Sequence, residues 1–276
     1  MLKQKEVLPG IWHIGDDRDN FCTLIVGETG AVLFDTTMGF DDLKSCVAAI
    51  THHEPTVICS HSHFDHVGGG SQFDRVFLHP EEFPLLDLAA GRVPTLERTL
   101  EADLSHAARF YREREKILPI EGGTVLELGG KTVEVIHLPG HTPGSVGLLC
   151  REDRLLLAGD TLSPQCCVFF RESLPLSVCA DTVRGIGALG FDRFLSSHFD
   201  LLFPRELLAK FIACFDLPGK KRGMDYGFPP LPEEKGKFFV LELNDPAIGQ
   251  LIGLAVKEED APASPRKQRQ VKEDAT

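Results

Sequence analysis

Residues 61–66, His61-Ser62-His63-Phe64-Asp65-His66, place four side chains that bind metal ions within six positions. Imidazole and carboxylate together suit zinc and other borderline or harder ions. In an extended or looped backbone His61 and His63 point the same way, because side chains alternate with period two. Asp65 and His66 then reach a neighbouring position as the chain turns. Val67 and three glycines, Gly68-Gly69-Gly70, follow and let the backbone pass close to the site on its way into a helix. A lone histidine carries little weight, since most are solvated or hydrogen-bonded in a core. The whole string with glycines behind it is far more specific.

Three further residues join it. His141 lies in Leu138-Pro139-Gly140-His141-Thr142-Pro143-Gly144-Ser145, a rigid turn expected after a strand. Asp160 ends Leu155-Leu156-Leu157-Ala158-Gly159-Asp160, where an apolar strand delivers a carboxylate to a sheet edge. His198 follows the expected strand Arg193 to Ser196. Each candidate stands just past an element rigid enough to present it.

The elements that must position these residues read as two rounds of strands and helices. Strands are expected at 11–14, 20–26, 31–34, 57–59 and 75–78, with a helix capped by Asp41 between. From Pro80 to Lys116 the pattern is helical, with Leu96, Leu100 and Leu104 four apart. After residue 118 come strands at 124–128, 131–137, 145–150 and 154–158, with Gly129-Gly130 as a hairpin turn. A helix over 181–189 and a strand over 193–196 follow. Next come a helix opened by Pro204, with its apolar face from Leu207 to Phe215, and a last strand over 237–243. Two such rounds predict an α/β protein built as a four-layer αββα sandwich. Residues 1–256 read as one domain. Residues 257–276, charged and almost free of large apolar groups, read as a disordered tail.

Taken in order, the 61–66 string, the Pro-Gly-His141-Thr-Pro-Gly turn, the Gly-Asp160-Thr segment and His198 resemble the metallo-β-lactamase superfamily, and are similar in tone to its glyoxalase-II-like hydrolases. The resemblance covers roughly residues 7 to 215. It implies one metal ion at His61, His63 and His141, a second at Asp65, His66 and His198, and Asp160 bridging the two. Asp35, at the end of an apolar strand, matches a position that supports the site. Ions in such pairs lie about 3.5–4 Å apart and lower the pKa of bound water towards about 7. The implied chemistry is attack by a metal-bound hydroxide on a small ester, thioester or lactone, with Asp65 helping to relay a proton. Zinc is the expected ion, because no cysteine joins the set; iron and manganese are the alternatives. One departure stands out: where many relatives carry Gly-His-Gly, this chain has Ser197-His198-Phe199.

Rival classes are an iron-dependent, oxygen-using enzyme of the persulfide dioxygenase kind, a phosphodiesterase or nuclease, and a binding protein that has lost catalysis. A net charge of -12 argues against a phosphate-backbone binder, so no nucleic acid is expected. An intact set of seven ligands argues against a catalytically silent protein. No Ser or Cys occupies a G-x-S-x-G elbow. The eight cysteines form no C-x-x-C pair, and Cys59, Cys166 and Cys167 read as core residues. His13, His52, His53, His79, His106 and His137 have no motif role and read as solvated or structural. No signal peptide and no membrane span are visible, so a cytoplasmic protein acting on a small molecule is expected. The apolar segment from Leu162 to Ala180 either packs on the core or walls a pocket. In the second case Phe169 and Phe170 contact substrate, with the 80–116 stretch as the opposite wall or lid.

Overall fold

The computed structural model describes residues 1–245 and 249–261. Two sheets face each other through a common apolar core. The first runs in the order β1 (Lys3–Leu8), β2 (Ile11–Gly15), β3 (Phe21–Val26), β4 (Ala31–Phe34), β5 (Thr56–Ile58), β6 (Val76–Leu78) and β7 (Ile117–Pro119). It is antiparallel up to β4 and parallel beyond. The second contains β8 (Val125–Glu127), β9 (Thr132–His137), β10 (Val146–Cys150), β11 (Leu155–Leu157), β13 (Arg193–Leu195) and β14 (Phe203–Pro204). Its spatial order is β14-β13-β11-β10-β9-β8.

The period of two in each strand decides what faces what. Val32 and Phe34 meet Leu155 and Leu157 between the sheets. Leu33, pointing the other way, packs under α1 (Leu43–Ile50), α3 (Leu86–Leu100) and α4 (Ser105–Arg112). Leu156 likewise turns outward, to α5 (Leu176–Ile186) and α6 (Leu208–Phe215). Both faces of the central strands are therefore buried, which is why they read as continuous apolar runs. The expected αββα layering is the one observed.

Local chemistry explains several boundaries. Gly129 and Gly130, at φ of +76° and +73°, make the two-residue turn between β8 and β9 that the sequence predicts. Asp42, not Asp41, caps α1, its carboxylate accepting from the Ser45 amide at 2.9 Å. The 80–116 stretch is not one helix. It opens as a 3₁₀ turn at Pro80–Leu85, runs as α3, breaks where Glu101 turns left-handed at φ +49°, and resumes as α4. The helix expected from Asp181 begins earlier, at Leu176 behind Pro175. Pro204 does not open a helix: it is extended, pairs with Arg193, and a 3₁₀ turn separates it from α6.

A third sheet is present, of which the sequence reading anticipates a single strand. β12 (Gln165–Val168), β17 (Gly249–Lys257), β16 (Leu231–Asp245) and β15 (Met224–Phe228) lie in that order, with β12 parallel to β17 across a separation of more than eighty residues. The strand expected over 237–243 is the middle of β16. Lys257, where a tail is expected to start, instead closes β17, and its ammonium donates to the carbonyls of Arg171 and Ser173, at 3.2 and 2.7 Å. Residues 262–276, on which the rest of that expectation falls, lie outside the described residues. Among the described residues no helix is long and apolar enough to cross a membrane.

Candidate metal centre

The ends of five strands converge at one rim of the sandwich. Past β5 the chain turns through His61 and His63 into α2 (Phe64–Val67), a single turn that carries Asp65 and His66. That turn can dock because glycine follows it: a Cβ on Gly68 would lie 2.2 Å from the Met38 carbonyl oxygen, and one on Gly69 would lie 2.4 Å from that of Thr36. His141 stands on the turn between β9 and β10, Asp160 follows β11, and His198 follows β13. All seven expected ligands come together here.

His61 Nε2, His63 Nδ1 and His141 Nε2 form a triangle with sides of 2.9, 3.0 and 3.1 Å. The other ring nitrogen of each histidine is already engaged. His61 Nδ1 meets the Ser60 hydroxyl at 2.9 Å, His63 Nε2 meets the Glu172 carboxylate at 2.8 Å, and His141 Nδ1 meets the Cys167 carbonyl. Three lone pairs therefore point at one spot and repel unless a cation shares them. Nitrogens bound to a tetrahedral ion at about 2.0–2.1 Å stand about 3.3 Å apart, close to this spacing. Anchored outer nitrogens are the arrangement metal-binding histidines use.

The second cluster is built the same way. His66 Nδ1 is held by Asp35 at 2.9 Å, leaving Nε2 buried without a hydrogen-bond partner. Asp160 Oδ1, also buried and unpartnered, lies 3.5 Å from His66 Nε2 and 3.3 Å from His198 Nε2. Asp65 Oδ2 is 3.6 Å from His198 Nε2. Asp160 Oδ2 faces the other way, 3.5 Å from His141 Nε2, so this one carboxylate reaches both clusters. Buried polar atoms seldom go unpaired, and two aimed at one point fit a cation. The donor set of imidazole and carboxylate suits zinc, iron or manganese.

The charges respond accordingly. Burial drives His61 well below its ordinary value and His141 down to about 4. Burial acts the same way on His66 and His198, but Asp160 and its neighbouring carboxylates outweigh it and raise them to about 10 and about 9. Burial opposes ionisation of Asp160, and His198 and His66 reverse that, holding it well below the carboxylate range.

Asp35 explains the Ser-His-Phe departure. Fully buried, it accepts from the Ser60 amide at 2.7 Å, the Ser60 hydroxyl at 3.0 Å, His66 Nδ1 at 2.9 Å and the Ser197 hydroxyl at 2.7 Å. Its φ of +64° costs a non-glycine residue about 1–3 kcal/mol, which these four bonds offset. Ser197 thus supplies a bond that glycine could not, tying the His198 loop to the same post as His66.

A cavity of about 360 Å³ opens beside the clusters. Asp65, Asp160, His63, His141 and His198 line its floor; Phe64, Phe170, Tyr226, Phe228, Leu96 and Leu231 line its apolar wall. The Leu162–Ala180 segment therefore does both things expected of it. Phe170 faces the cavity, whereas Phe169 does not line it and packs behind, 4.4 Å from Phe170 and 4.9 Å from Tyr226 between ring centroids. The two cysteines divide likewise: Cys166 is core, and Cys167 lines the cavity with its thiol pushed up to about 12 by burial beside Asp160. From the 80–116 stretch, α3 contributes Ala89, Arg92 and Leu96 to the lining, and α4 contributes Tyr111.

Four residues went unnoticed in the sequence. Glu82 accepts from the Ser62 amide and hydroxyl and from the Thr142 hydroxyl and Gly144 amide, tying the His61–His63 loop to the His141 turn. Tyr111 donates to the Ser62 carbonyl at 2.8 Å. Arg92 and Glu172 pair behind His63. Only Glu172 left a signal, as one of two charges in an otherwise apolar segment. A further group, His79, Glu81 and His137, also clusters. Its imidazoles stack at 4.2 Å and 13°, so their in-plane lone pairs run nearly parallel and do not converge on an ion.

The model of the metallo-beta-lactamase superfamily matches residues 15–211. The chain belongs to that superfamily. Acyl-coenzyme A thioesterase MBLAC2 of Bos taurus is 32% identical over 113 residues, covering 38% of this chain and 40% of that protein. The Homo sapiens protein of the same name is 31% identical over the same shares. The matched region thus spans well under half the length of these relatives. Among solved structures, a metallo-beta-lactamase family protein of Thermus thermophilus aligns over 75% of this chain and 80% of its own, at a TM-score of 0.56 and 23% identity. A second, TTHA1623 in a di-iron-bound form, aligns over 71% and 94%, at 0.53 and 24%. At those identities the structures speak for the fold, and it is the superfamily's sandwich.

Proposed function

We propose that this member of the metallo-beta-lactamase superfamily is a dinuclear metal-dependent hydrolase of small acyl compounds, with thioesters ahead of lactones and simple esters. The observation that carries this reading is the division of the cavity, with a cluster of seven side chains able to hold metal at one end, five of them on its floor, and an apolar wall at the other. Two divalent ions held by His61, His63 and His141 and by Asp65, His66 and His198, shared through Asp160, would supply a water activated at neutral pH and a Lewis acid for an acyl oxygen. Zinc is our first assignment, and the di-iron form of the fold neighbour keeps iron as its alternative.

The protein's own groups bind and orient. Phe170, Phe228, Leu96 and Leu231 take an apolar acyl arm and keep bulk water from the floor. The Asp65 carboxylate faces the cavity beside His198 and stands where it can accept and pass on a proton. Exposed Arg18 at the rim can pair with a negatively charged leaving group. The thioesterases among the relatives support a thioester over a lactone. The net charge of -12 and the apolar wall run against a polyanion such as nucleic acid.

The test is turnover by metal-analysed protein on a panel of ester, thioester, lactone, phosphodiester and persulfide substrates. Acyl substrates should turn over, with kcat/KM rising as the acyl arm lengthens. Robust phosphodiester cleavage with negligible acyl turnover overturns the reading. Oxygen uptake on a persulfide by protein holding one iron replaces it with the dioxygenase alternative.

A further inference from the structure

The superfamily match ends at residue 211, and β15, β16 and β17 all lie beyond it. Yet β16 reaches back to the metal centre through a chain of charges. Glu234, on β16, accepts from Arg92 Nη2 and from the Arg171 amide, the latter at 3.1 Å. Arg92, on α3, forks onto both oxygens of Glu172, Nη1 to Oε1 and Nη2 to Oε2, the second at 3.1 Å. Glu172 Oε1 accepts from His63 Nε2 at 2.8 Å, and His63 Nδ1 belongs to the three-histidine triangle. Arg92, Glu172 and Glu234 are 7%, 9% and 5% exposed.

Two buried carboxylates thus share one buried guanidinium. Burying such charges is costly, and a well-packed apolar trio of similar volume often serves stability as well. What an apolar trio cannot do is hold a carboxylate behind a metal-binding imidazole. That carboxylate fixes the ring and its tautomer and strengthens the lone pair on the far nitrogen. The planar fork of Arg92 orients Glu172, and Glu234 in turn orients the fork.

We propose that Glu234 and Arg92 are positioning residues through which the C-terminal sheet holds Glu172 behind His63 and so sets the metal affinity of the three-histidine site. This rests on reading that site as a metal centre. The rival account is that the network only pins the third sheet to α3. The two differ in what they predict: pinning alone lowers stability and leaves both ions bound as before, whereas positioning weakens one ion selectively.

The full-length protein would be titrated with Co(II) against a chelator, its two sites followed by their visible spectra, alongside ¹⁵N NMR of the histidine side chains in metal-free protein. Glu172→Gln should weaken the ion of the three-histidine site by about 10–100-fold, the usual cost of losing such a partner. Glu234→Gln should weaken the same ion by a smaller factor, and the other ion should stay within about threefold in both variants. In metal-free wild type the His63 proton should sit on Nε2, and Glu172→Gln should lose that preference. Because a single change can strand a buried charge and unfold the chain, the pair Arg92→Met with Glu234→Leu is added. It removes one charge of each sign and leaves Glu172 with His63. It should still fold, with a lowered melting temperature because Glu172 loses its guanidinium and the Arg171 amide its acceptor, and it should lose affinity at the three-histidine site. Wild-type affinity at both sites in that pair and in Glu234→Gln overturns the proposal in favour of pinning. A wild-type chain that binds no Co(II), while His63 keeps its Nε2 proton, overturns the metal reading and the proposal with it, and leaves the hydrogen-bonded chain itself intact.

Discussion

Glu82→Gln isolates the tie between the two loops that carry the three-histidine triangle. Glu82 is fully buried. One oxygen accepts from the Ser62 amide at 2.8 Å and the Ser62 hydroxyl at 2.6 Å; the other accepts from the Thr142 hydroxyl at 2.6 Å and the Gly144 amide at 2.9 Å. Glutamine keeps the shape but turns one of these acceptors into a donor. Whichever way the amide sits, one backbone N–H, of Ser62 or of Gly144, faces another N–H. The hydroxyls can rotate to accept, so they recover part of the loss. A hydrogen bond to a charged group contributes about 1.5–3 kcal/mol and a stranded buried donor costs about 1–3 kcal/mol, so the expected loss is about 2–4 kcal/mol. That is a large share of the roughly 5–15 kcal/mol that holds a domain folded. The assay is urea denaturation of metal-stripped protein, since a bound ion would add stability by mass action and mask the effect. The midpoint should fall with the slope unchanged. A variant within about 0.5 kcal/mol of wild type would show that the carboxylate ties nothing and that Tyr111 and the glycine contacts hold the loops.

Asp160→Ala should lose both ions and nearly all turnover, because one carboxylate reaches both clusters; wild-type metal content by elemental analysis would refute the shared role. Phe170→Ala should raise KM for an acyl substrate with metal content unchanged. Phe169→Ala should instead lower stability by about 3–5 kcal/mol, and the reverse pattern would overturn the assignment of walls. Stability should also depend on pH through His13, which burial lowers from 6.5 to about 4. Between those values the unfolded chain binds the extra proton, so stability is full above about pH 6.5. It declines by up to about 3 kcal/mol as pH falls towards 4. His13→Gln should flatten that part of the stability–pH curve measured by denaturation, and an unchanged curve would exclude His13 as its source.

How much of this was legible in the residues follows from how local each cause is. The candidate metal ligands could be picked out directly, because His61, His63, Asp65 and His66 crowd into one turn and His141, Asp160 and His198 each end an apolar strand beside Gly, Pro or Ser. Strand alternation and the Gly129-Gly130 turn are equally local, so the two facing sheets and their outer helices could be laid out before any coordinates. Element ends were less secure: Glu101 breaks the long helix by adopting a left-handed backbone that its residue type does not announce.

The partners of the ligands could not be read at all. Glu82 follows a neighbouring glutamate, Glu81, in the same turn, and nothing in their spacing tells which of the two is drawn inward to Ser62 and Thr142. Arg92 looks like any solvent-facing helix residue until α3 is laid against β16. The third sheet pairs β12 with β17 across most of the C-terminal half, a contact that no local pattern encodes, and with it come the apolar wall and the charge chain behind His63. Residue types and their local spacing settle which side chains could hold metal and which strands would carry them. Which carboxylates fix those histidines, and what shape of substrate the cavity admits, was open until the chain was folded, because both depend on long-range packing that brings together residues with no periodic relation along the chain.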